Sequence, residues 1–392
     1  MNRGIKILAF FFLAVWLWGT GTVCCYGSTE KSQDKEQSTD QTDPEAAEGM
    51  LEEIEFGEIQ KMVDELLGEQ SFSLKEAVIN MINGEEPISK EAVRGVLYSF
   101  FFSGLENEKT LFFRLLLLVL LAAVLAGFVD VFENGQIGAV SFYVVYLVLF
   151  MMLMEAFGRL SSTLTVRLNW LGEFMKTLAP AYFLAVSTAN GVSTAAVFYE
   201  GVLLLVWMIQ WVLVNFLLPG VNLCILLKMV NYLSKEEMLS KMSELLEVVI
   251  SWALKTLIGL AVGLQVVKNL VAPVMDSLKR TAVGKTAGAI PGIGNAVNAI
   301  TQLILTSAVL VRNSFGAIIL VLIAAAGLQP LIHYGALSLS YRFLAALAQP
   351  VSDKRIVGAL STMGEGCAWL LKLLLTAQIL CMLAFLVLMA GG

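Results

Sequence analysis

Residues 366–389 read GCAWLLKLLLTAQILCMLAFLVLM, and this run decides the fold class. Lys372 is its only charged side chain. A run of roughly 20 apolar residues is long enough for an α-helix to cross the hydrocarbon core of a bilayer. A lysine near the start of such a run can extend its amine to the lipid headgroups. The run therefore predicts a membrane-spanning helix.

Further apolar runs precede this one along the chain. The runs that predict spanning helices cover residues 111–129, 137–157, 248–267, 296–311 and 314–347. Proline and glycine interrupt helices in lipid, so we expect breaks in the last of these runs at Pro330 and Gly335. The predicted fold class is all-α, a polytopic helical membrane protein with several spanning helices.

Two other apolar stretches have a less regular pattern. Residues 201–230 are interrupted by Pro219 and Gly220, which predicts either a kinked helix or a tight helical hairpin. Residues 179–199 are rich in Ser, Thr, Ala and Gly. They predict either a weak span or a partly re-entrant segment.

The overall composition agrees with a lipid-embedded chain. Of its 392 residues, 57% are hydrophobic and 15% are charged. Soluble domains have about 25% charged residues and about 45–50% apolar ones. Lipid is therefore the expected solvent for most of this chain.

The N-terminal residues have the pattern of an exported segment. Residues 1–27 begin with Arg3 and Lys6, continue through an apolar stretch and end in small side chains, as a secretory signal peptide does. An uncleaved membrane anchor is the alternative. Residues 28–50 contain almost no apolar side chains, too few to offset the entropy of ordering. They predict a disordered acidic linker.

The chain then divides into two further regions. Residues 51–110 predict exported short amphipathic helices, one of which begins with a capping box formed by Ser73 and Glu76. We expect these helices to lie on a membrane or on a partner. Residues 111–392 form the predicted polytopic transmembrane domain.

Charge gives conflicting information about orientation. Residues 28–110 carry 20 acidic and 7 basic side chains, and we expect this N-terminal segment to be extracytoplasmic because of the signal peptide. The expected cytoplasmic loop carries Lys268, Lys279, Arg280 and Lys285. If residues 111–157 form a helical hairpin, however, basic residues would also lie outside: Arg159, Arg167 and Lys176.

These basic residues belong to a stretch with helical periodicity. Between residues 160 and 178, leucine or methionine recurs every three or four positions, with basic side chains between them. That pattern is typical of an amphipathic helix at the membrane interface. We predict such an interfacial helix here.

The sequence contains no pattern of an enzyme active site. His333 is the only histidine, and the five cysteines lack the spacing of metal ligands. Gly284, Lys285 and Thr286 resemble the end of a phosphate-binding loop, but Lys279 stands where that loop needs a glycine. We therefore expect no catalytic residue, cofactor, metal site or nucleic-acid partner.

A broken Gly/Pro segment is the best candidate for a functional element. Its small residues and proline are Gly284, Gly288, Pro291, Gly292 and Gly294. Glycines four apart let helices approach closely in lipid, and broken backbone at membrane depth must be buried in protein or line a wet cavity. We predict a pore-proximal or subunit-contact element, and an ordinary glycine-rich loop is the alternative.

One charged residue lies deeper in its apolar run than the others. Lys255 is far from both ends of run 248–267, and ionisable groups inside a membrane are costly and usually functional. We predict that Lys255 is a functional buried charge.

Two stretches of the sequence carry a family resemblance. Residues 282–294 read AVGKTAGAIPGIG, and residues 312–316 read RNSFG. Together with the signal peptide, the acidic exported segment and the polytopic body, they resemble the stage III sporulation protein AE family. That resemblance implies a place in the mother-cell membrane around the forespore of an endospore-forming bacterium, in a channel-like complex between the two cells.

The resemblance also implies partners but no catalytic residues. The partners would be other stage III sporulation membrane proteins, including an ATPase and ring-forming proteins between the two membranes, besides the lipid bilayer and, in a homo-oligomer, further copies of this chain. The expected function is that of a non-enzymatic membrane subunit that forespore development requires. A stand-alone secondary transporter, or a membrane scaffold that recruits partners, are the alternatives.

Overall fold

The computed structural model describes residues 51, 56–67, 72–83, 113, 116, 117, 120, 135–190, 192–233, 239–287, 294–350 and 352–390. The described residues form helices joined by short turns, without a strand among them. The predicted all-α fold is confirmed. The expected signal peptide (1–27) and acidic linker (28–50) lie outside the described residues, as does most of run 111–129.

Two short helices precede the long ones. α1 spans Gly57–Leu67 and α2 spans Leu74–Ile82. Ser73 caps α2 by accepting a hydrogen bond from the backbone N–H of Glu76 over 3.3 Å. This cap satisfies an amide that the first turn of a helix leaves free, and it is the Ser73 half of the predicted capping box.

Both short helices pack on the long helices of the same chain. The buried side chains on their apolar faces are Ile59, Val63, Leu74, Ala77 and Val78. α2 contacts the helix that contains Phe315, and the Phe56 ring meets the Phe315 ring edge-on with centroids 5.5 Å apart. These two amphipathic helices therefore bury their apolar faces on the same chain, and not on a membrane or a partner as expected.

α3 is one unbroken helix of 56 residues, Gly135–Asn190. The predicted end of a span near residue 157, followed by a separate interfacial helix, is wrong. The apolar side of residues 160–178 is buried against the helices Val192–Val212, Gly294–Ala348 and Lys354–Ala390, so it packs in the bundle rather than lying flat on the membrane. The buried side chains are Leu160, Leu164, Leu168, Leu171, Met175 and Leu178.

The next helices form a continuous helical path. α4 spans Val192–Val212, a π-helix covers Leu213–Leu217, and α5 spans Leu218–Asn231. Pro219 lies in the first turn of α5, where its missing N–H costs least. The π-helix directly before this proline is a local change of helix type that lets the freed backbone groups find other hydrogen-bond partners. Of the two predicted alternatives, the structure has a helix with a local irregularity and not a hairpin.

Residues 179–199 do not form a separate span. They contain the end of α3 and the start of α4. The two helices run antiparallel, since the side chain of Gln210 lies against Asn169 and Gly172.

The last three helices are long. α6 spans Ser240–Ala287, α7 spans Gly294–Ala348 and α8 spans Lys354–Ala390. The predicted runs 296–311 and 314–347 are one helix, which continues through Pro330. Tertiary packing against α8 supports α7 across this proline, so the expected breaks do not occur.

Glycines allow α7 and α8 to pack closely. A side chain at Gly316 would meet Met389, one at Gly327 would meet Gln378, and one at Gly364 would lie 3.1 Å from the carbonyl oxygen of Ser338. Small residues let helix backbones approach in lipid, where no hydrophobic force drives them together. Ser338 also donates a hydrogen bond to the Gly364 carbonyl over 2.7 Å.

Buried tyrosines connect other helices. The Tyr146 hydroxyl on α3 donates to the carbonyl of Met229 on α5 over 2.6 Å. The Tyr334 hydroxyl on α7 donates to the carbonyl of Leu160 over 2.9 Å. Each bond satisfies a hydroxyl that would be costly to bury alone.

Within the described residues, five stretches are long and apolar enough to cross a membrane. They are Tyr143–Phe183, Glu200–Asn231, Ser240–Gly263, Thr306–Ala348 and Lys354–Met389. The protein is therefore a multi-pass membrane protein.

The close α7–α8 contact gives a first prediction. Gly364→Leu should destabilise the purified protein by about 1–3 kcal/mol because the new side chain cannot fit against α7. Gly259→Leu is the matched control, since a Cβ at Gly259 would meet nothing within 4 Å. Thermal unfolding in detergent measures both, and equal unfolding temperatures would contradict the close contact.

Candidate functional site

The predicted Gly/Pro segment lies between two long helices. Gly284 is in the last turns of α6 and Gly294 is the first residue of α7. Gly288, Pro291 and Gly292 lie outside the described residues. A pore-proximal or contact role for this segment stays a prediction.

Lys255 lies on the exposed side of α6. Its surroundings in a bilayer would be lipid or another chain rather than the interior of this protein. The functional role of Lys255 therefore also stays a prediction.

The structure instead brings together three other charged residues, here called the charge cluster: Lys228, Glu247 and Glu365. The Lys228 Nζ lies 2.5 Å from Glu247 Oε1 and 2.8 Å from Glu365 Oε2. The three side chains are 22%, 29% and 41% exposed, respectively. One ammonium group thus joins α5, α6 and α8 at a partly buried point.

Glycines determine where Glu365 lies. Gly364 faces α7, and a side chain at Gly366 would lie 2.7 Å from the Phe157 ring of α3 and 3.2 Å from Ile225 of α5. α3, α5 and α7 can therefore approach α8 on both sides of Glu365. This close approach brings Lys228 of α5 within reach of the Glu365 carboxylate.

Further charges surround the cluster. Lys372 lies within electrostatic range of Glu247, Glu365, Arg342 and Lys255. Its Nζ lies 4.0 Å from the centre of the Trp369 ring, a cation–π contact that helps hold an ammonium group away from water. The cluster therefore lies in a region of mixed charge that several helices share.

α6 depends on this region for its attachment to the other helices. The Cys224 thiol of α5 donates to the carbonyl of Ser243 over 3.5 Å, and Gly220 leaves room for Ile250 at 3.6 Å. The large apolar side chains on the outer side of α6 are exposed: Met242, Leu245, Val248, Val249 and Trp252. The charge cluster adds an ion pair to these contacts between α6 and the rest of the described bundle.

A second polar feature, the polar stripe, runs along the exposed side of α3. Its members recur every three or four residues: Glu155, Arg159, Ser162, Asn169, Glu173 and Lys176. Arg159 donates to Glu155 over 3.1 Å. Val166 interrupts the stripe and is 64% exposed. The stripe lies opposite the buried leucines of the same helix.

A cleft of about 380 Å³ opens beside the N-terminal half of the polar stripe, where α3 meets the π-helix and α5. Ser161, Ser162, Thr165 and Asn222 contribute polar groups to its lining. The Asn222 Oδ1 is buried and accepts no hydrogen bond from any group that the structure describes. A buried acceptor without a protein partner is usually satisfied by water.

The described residues contain no group of three or more His, Cys, Asp and Glu side chains that could hold a metal ion. The charge cluster has two carboxylates, but a lysine lies between them. Its geometry is that of an interhelical ion pair.

Sequence reasoning missed the charge cluster. Lys228 lies near the end of run 201–230, Glu247 precedes run 248–267, and Glu365 precedes run 366–389. Each position fits a charge at the end of a span. Only the tertiary arrangement of α5, α6 and α8 shows that these three ends meet.

The cluster gives a second prediction. Lys228→Met should destabilise the protein by about 2 kcal/mol, between the ~0–1 kcal/mol of exposed pairs and the ~3–5 kcal/mol of buried ones. The loss arises because two carboxylates then face each other without a cation. Thermal unfolding in detergent is the measurement, with Lys255→Met as the exposed control.

Adding Glu247→Gln and Glu365→Gln to Lys228→Met provides a test of this cause. The triple variant should regain most of the lost stability because no unpaired carboxylate remains. A triple variant less stable than Lys228→Met would contradict the ion-pair explanation.

Known proteins match this chain over almost all of its described residues. The family model described as stage III sporulation protein AE matches residues 72–392. Stage III sporulation protein AE of Bacillus subtilis (strain 168) is 22% identical over 368 residues, which cover 93% of this chain and 92% of that protein. No solved structure matches the chain. The matched residues include all five apolar stretches, and this chain therefore belongs to the stage III sporulation protein AE family, with a role in sporulation.

Proposed function

We propose that the protein is a non-enzymatic membrane subunit of a channel complex that connects the mother cell and the forespore, and that forespore development requires it. The observation that supports this function is the family match over residues 72–392, which includes every described stretch able to span a membrane. The family is named for sporulation and not for a reaction.

The proposed partners are other stage III sporulation membrane proteins, including an ATPase and ring-forming proteins. The sequence lacks a complete phosphate-binding loop, because Lys279 replaces the glycine that such a loop requires. The protein would then depend on the partner ATPase for any step that ATP drives. This dependence separates the proposed subunit from a stand-alone secondary transporter.

The proposed location is the mother-cell membrane around the forespore, with the N-terminal segment on the extracytoplasmic side. α1 and α2 pack at the end of the bundle where Phe56 meets Phe315. Phe385 of α8 lies at this same end, because Phe385 and Phe315 both contact Tyr182. The charge cluster contains Glu365, which is about 20 residues away from Phe385 along α8. An exported tail therefore supports a cytoplasmic position for the charge cluster. Lys268, Lys279, Arg280 and Lys285 lie beyond the Ser240–Gly263 span on the same helix α6, so this orientation places them on the side opposite to the one that their charge predicts.

A third prediction tests this orientation. A reporter enzyme that is active only after export, fused after Asn107, should be active in intact cells because the signal peptide directs this segment outward. The control is the same reporter fused after Tyr232, between α5 and α6, where we expect no activity. Activity at Tyr232 and none at Asn107 would reverse the proposed orientation.

A fourth prediction tests the function itself. Deletion of the gene should arrest spore development after engulfment, whereas the purified protein alone in vesicles should accumulate no solute when a proton or sodium gradient is applied. Gradient-driven uptake by the isolated protein would favour the transporter. Normal spores after deletion would contradict the proposed role.

A further inference from the structure

The amphipathic half of α3 is fixed at both ends against a strongly apolar part of α8. At one end, a side chain at Gly366 would lie 2.7 Å from the Phe157 ring. At the other end, the rings of Tyr182 and Phe385 lie 5.0 Å apart. Residues 366–385 rise about 29 Å along α8, close to the roughly 30 Å of a bilayer core. Residues 157–182 of α3 therefore lie at the depth of this spanning stretch.

Contacts with α7 place the same segment at the same depth. Tyr334 donates to the carbonyl of Leu160 over 2.9 Å, and the rings of Tyr182 and Phe315 lie 6.1 Å apart. Between residues 315 and 334, α7 contains no Asp, Glu, Lys or Arg. Two neighbouring helices thus present their spanning parts alongside this half of α3.

α3 differs from both neighbours at this depth. Its residues 157–182 include four charged side chains: Arg159, Arg167, Glu173 and Lys176. The polar stripe, to which three of these belong, is on the outer surface of the chain, where a lone protein would meet lipid. Charged groups in lipid are so costly that they almost always face a water-filled cavity or another chain.

We propose that the polar stripe of α3 lines an aqueous passage through the membrane, and that further copies of this chain complete its wall. The passage must lie between chains because the stripe is on the outside of each bundle. Each end of the stripe carries both signs of charge about one turn apart: Glu155 with Arg159, and Glu173 with Lys176. Stripes of neighbouring copies can therefore face each other without like-charge repulsion.

The cleft beside the stripe supports the presence of water. It opens along residues 158–166, in the part of the segment nearer Phe157, and has hydroxyl groups and the unsatisfied Asn222 Oδ1 in its wall. A cavity holds water when it is roomy and offers several polar partners. The cleft meets both requirements.

The lining also indicates a class of solute. Acidic and basic side chains are equal in number along the stripe, so it has no net charge. Rings of one charge sign select ions of the opposite sign, whereas a balanced lining favours neither. The passage fits small hydrated polar solutes of either charge, and this conclusion rests on the proposed channel function.

Cysteine labelling in sporulating cells tests the proposal. In a background with all five native cysteines replaced, the stripe variants are Ser162→Cys and Asn169→Cys. The matched controls are Leu204→Cys on α4 and Val321→Cys on α7, where the native side chains are 66% and 50% exposed. Val321 lies between Phe315 and Tyr334, at the depth of the stripe.

A charged, membrane-impermeant thiol reagent should modify the stripe cysteines at least about tenfold faster than the controls, because the reactive thiolate forms in water and not in hydrocarbon. Equal modification of stripe and control cysteines would overturn the proposal. In particular, rapid labelling of Val321→Cys would show that this whole level lies outside the hydrocarbon.

A bifunctional maleimide tests the second part. It should join two copies through Asn169→Cys and give a species of twice the mass, whereas Leu204→Cys should stay monomeric. Labelling without such cross-links would overturn the claim that copies of this chain close the passage. If deletion of the gene arrests spore development but the stripe cysteines are not labelled, this inference is rejected and the proposed function still stands.

Discussion

The close contact between α7 and α8 is the interaction on which the rest of the bundle depends. Lipid provides no hydrophobic force between helices, so packing and polar contacts must hold them together. Glycines at 316, 327 and 364 permit this contact, and the side chain of Gln378 reaches across it to donate to the carbonyl of Ile323. The neighbouring helices approach α8 closely, and this approach sets the position of Glu365. It thereby also determines where α5 and α6 meet at Lys228.

Polar groups in this bundle fall into two kinds. Tyr146 and Tyr334 connect helices through hydroxyl groups that are fully used inside the protein. The charge cluster and the polar stripe are partly or fully exposed, so their environment includes water, headgroups or another chain. The first kind stabilises one chain, and the second kind indicates where that chain meets its surroundings. On α4, by contrast, the exposed side chains of Leu204, Trp207 and Trp211 suit lipid.

The sequence predicts the helical class, the apolar stretches and the cap at Ser73 because each depends on neighbouring residues. It fails where tertiary contacts override a local signal. Pro330 suggests a break, but packing against α8 carries α7 through it. The leucines of residues 160–178 suggest a helix on the membrane surface, since a sequence does not show that other helices cover them. Lys228, Glu247 and Glu365 are distant along the chain, and no spacing rule connects them.

The continuity of α3 has a mechanical consequence. A helix of 56 residues is about 84 Å long at 1.5 Å per residue, about twice the 40–45 Å of a whole bilayer with its headgroups. A rod of this length cannot stand upright within the bilayer, so it crosses obliquely or extends beyond it, and Pro180 is the only proline within it. Because Tyr146 and Tyr334 tie the rod to α5 and α7, the rod cannot change its tilt without moving these two helices as well.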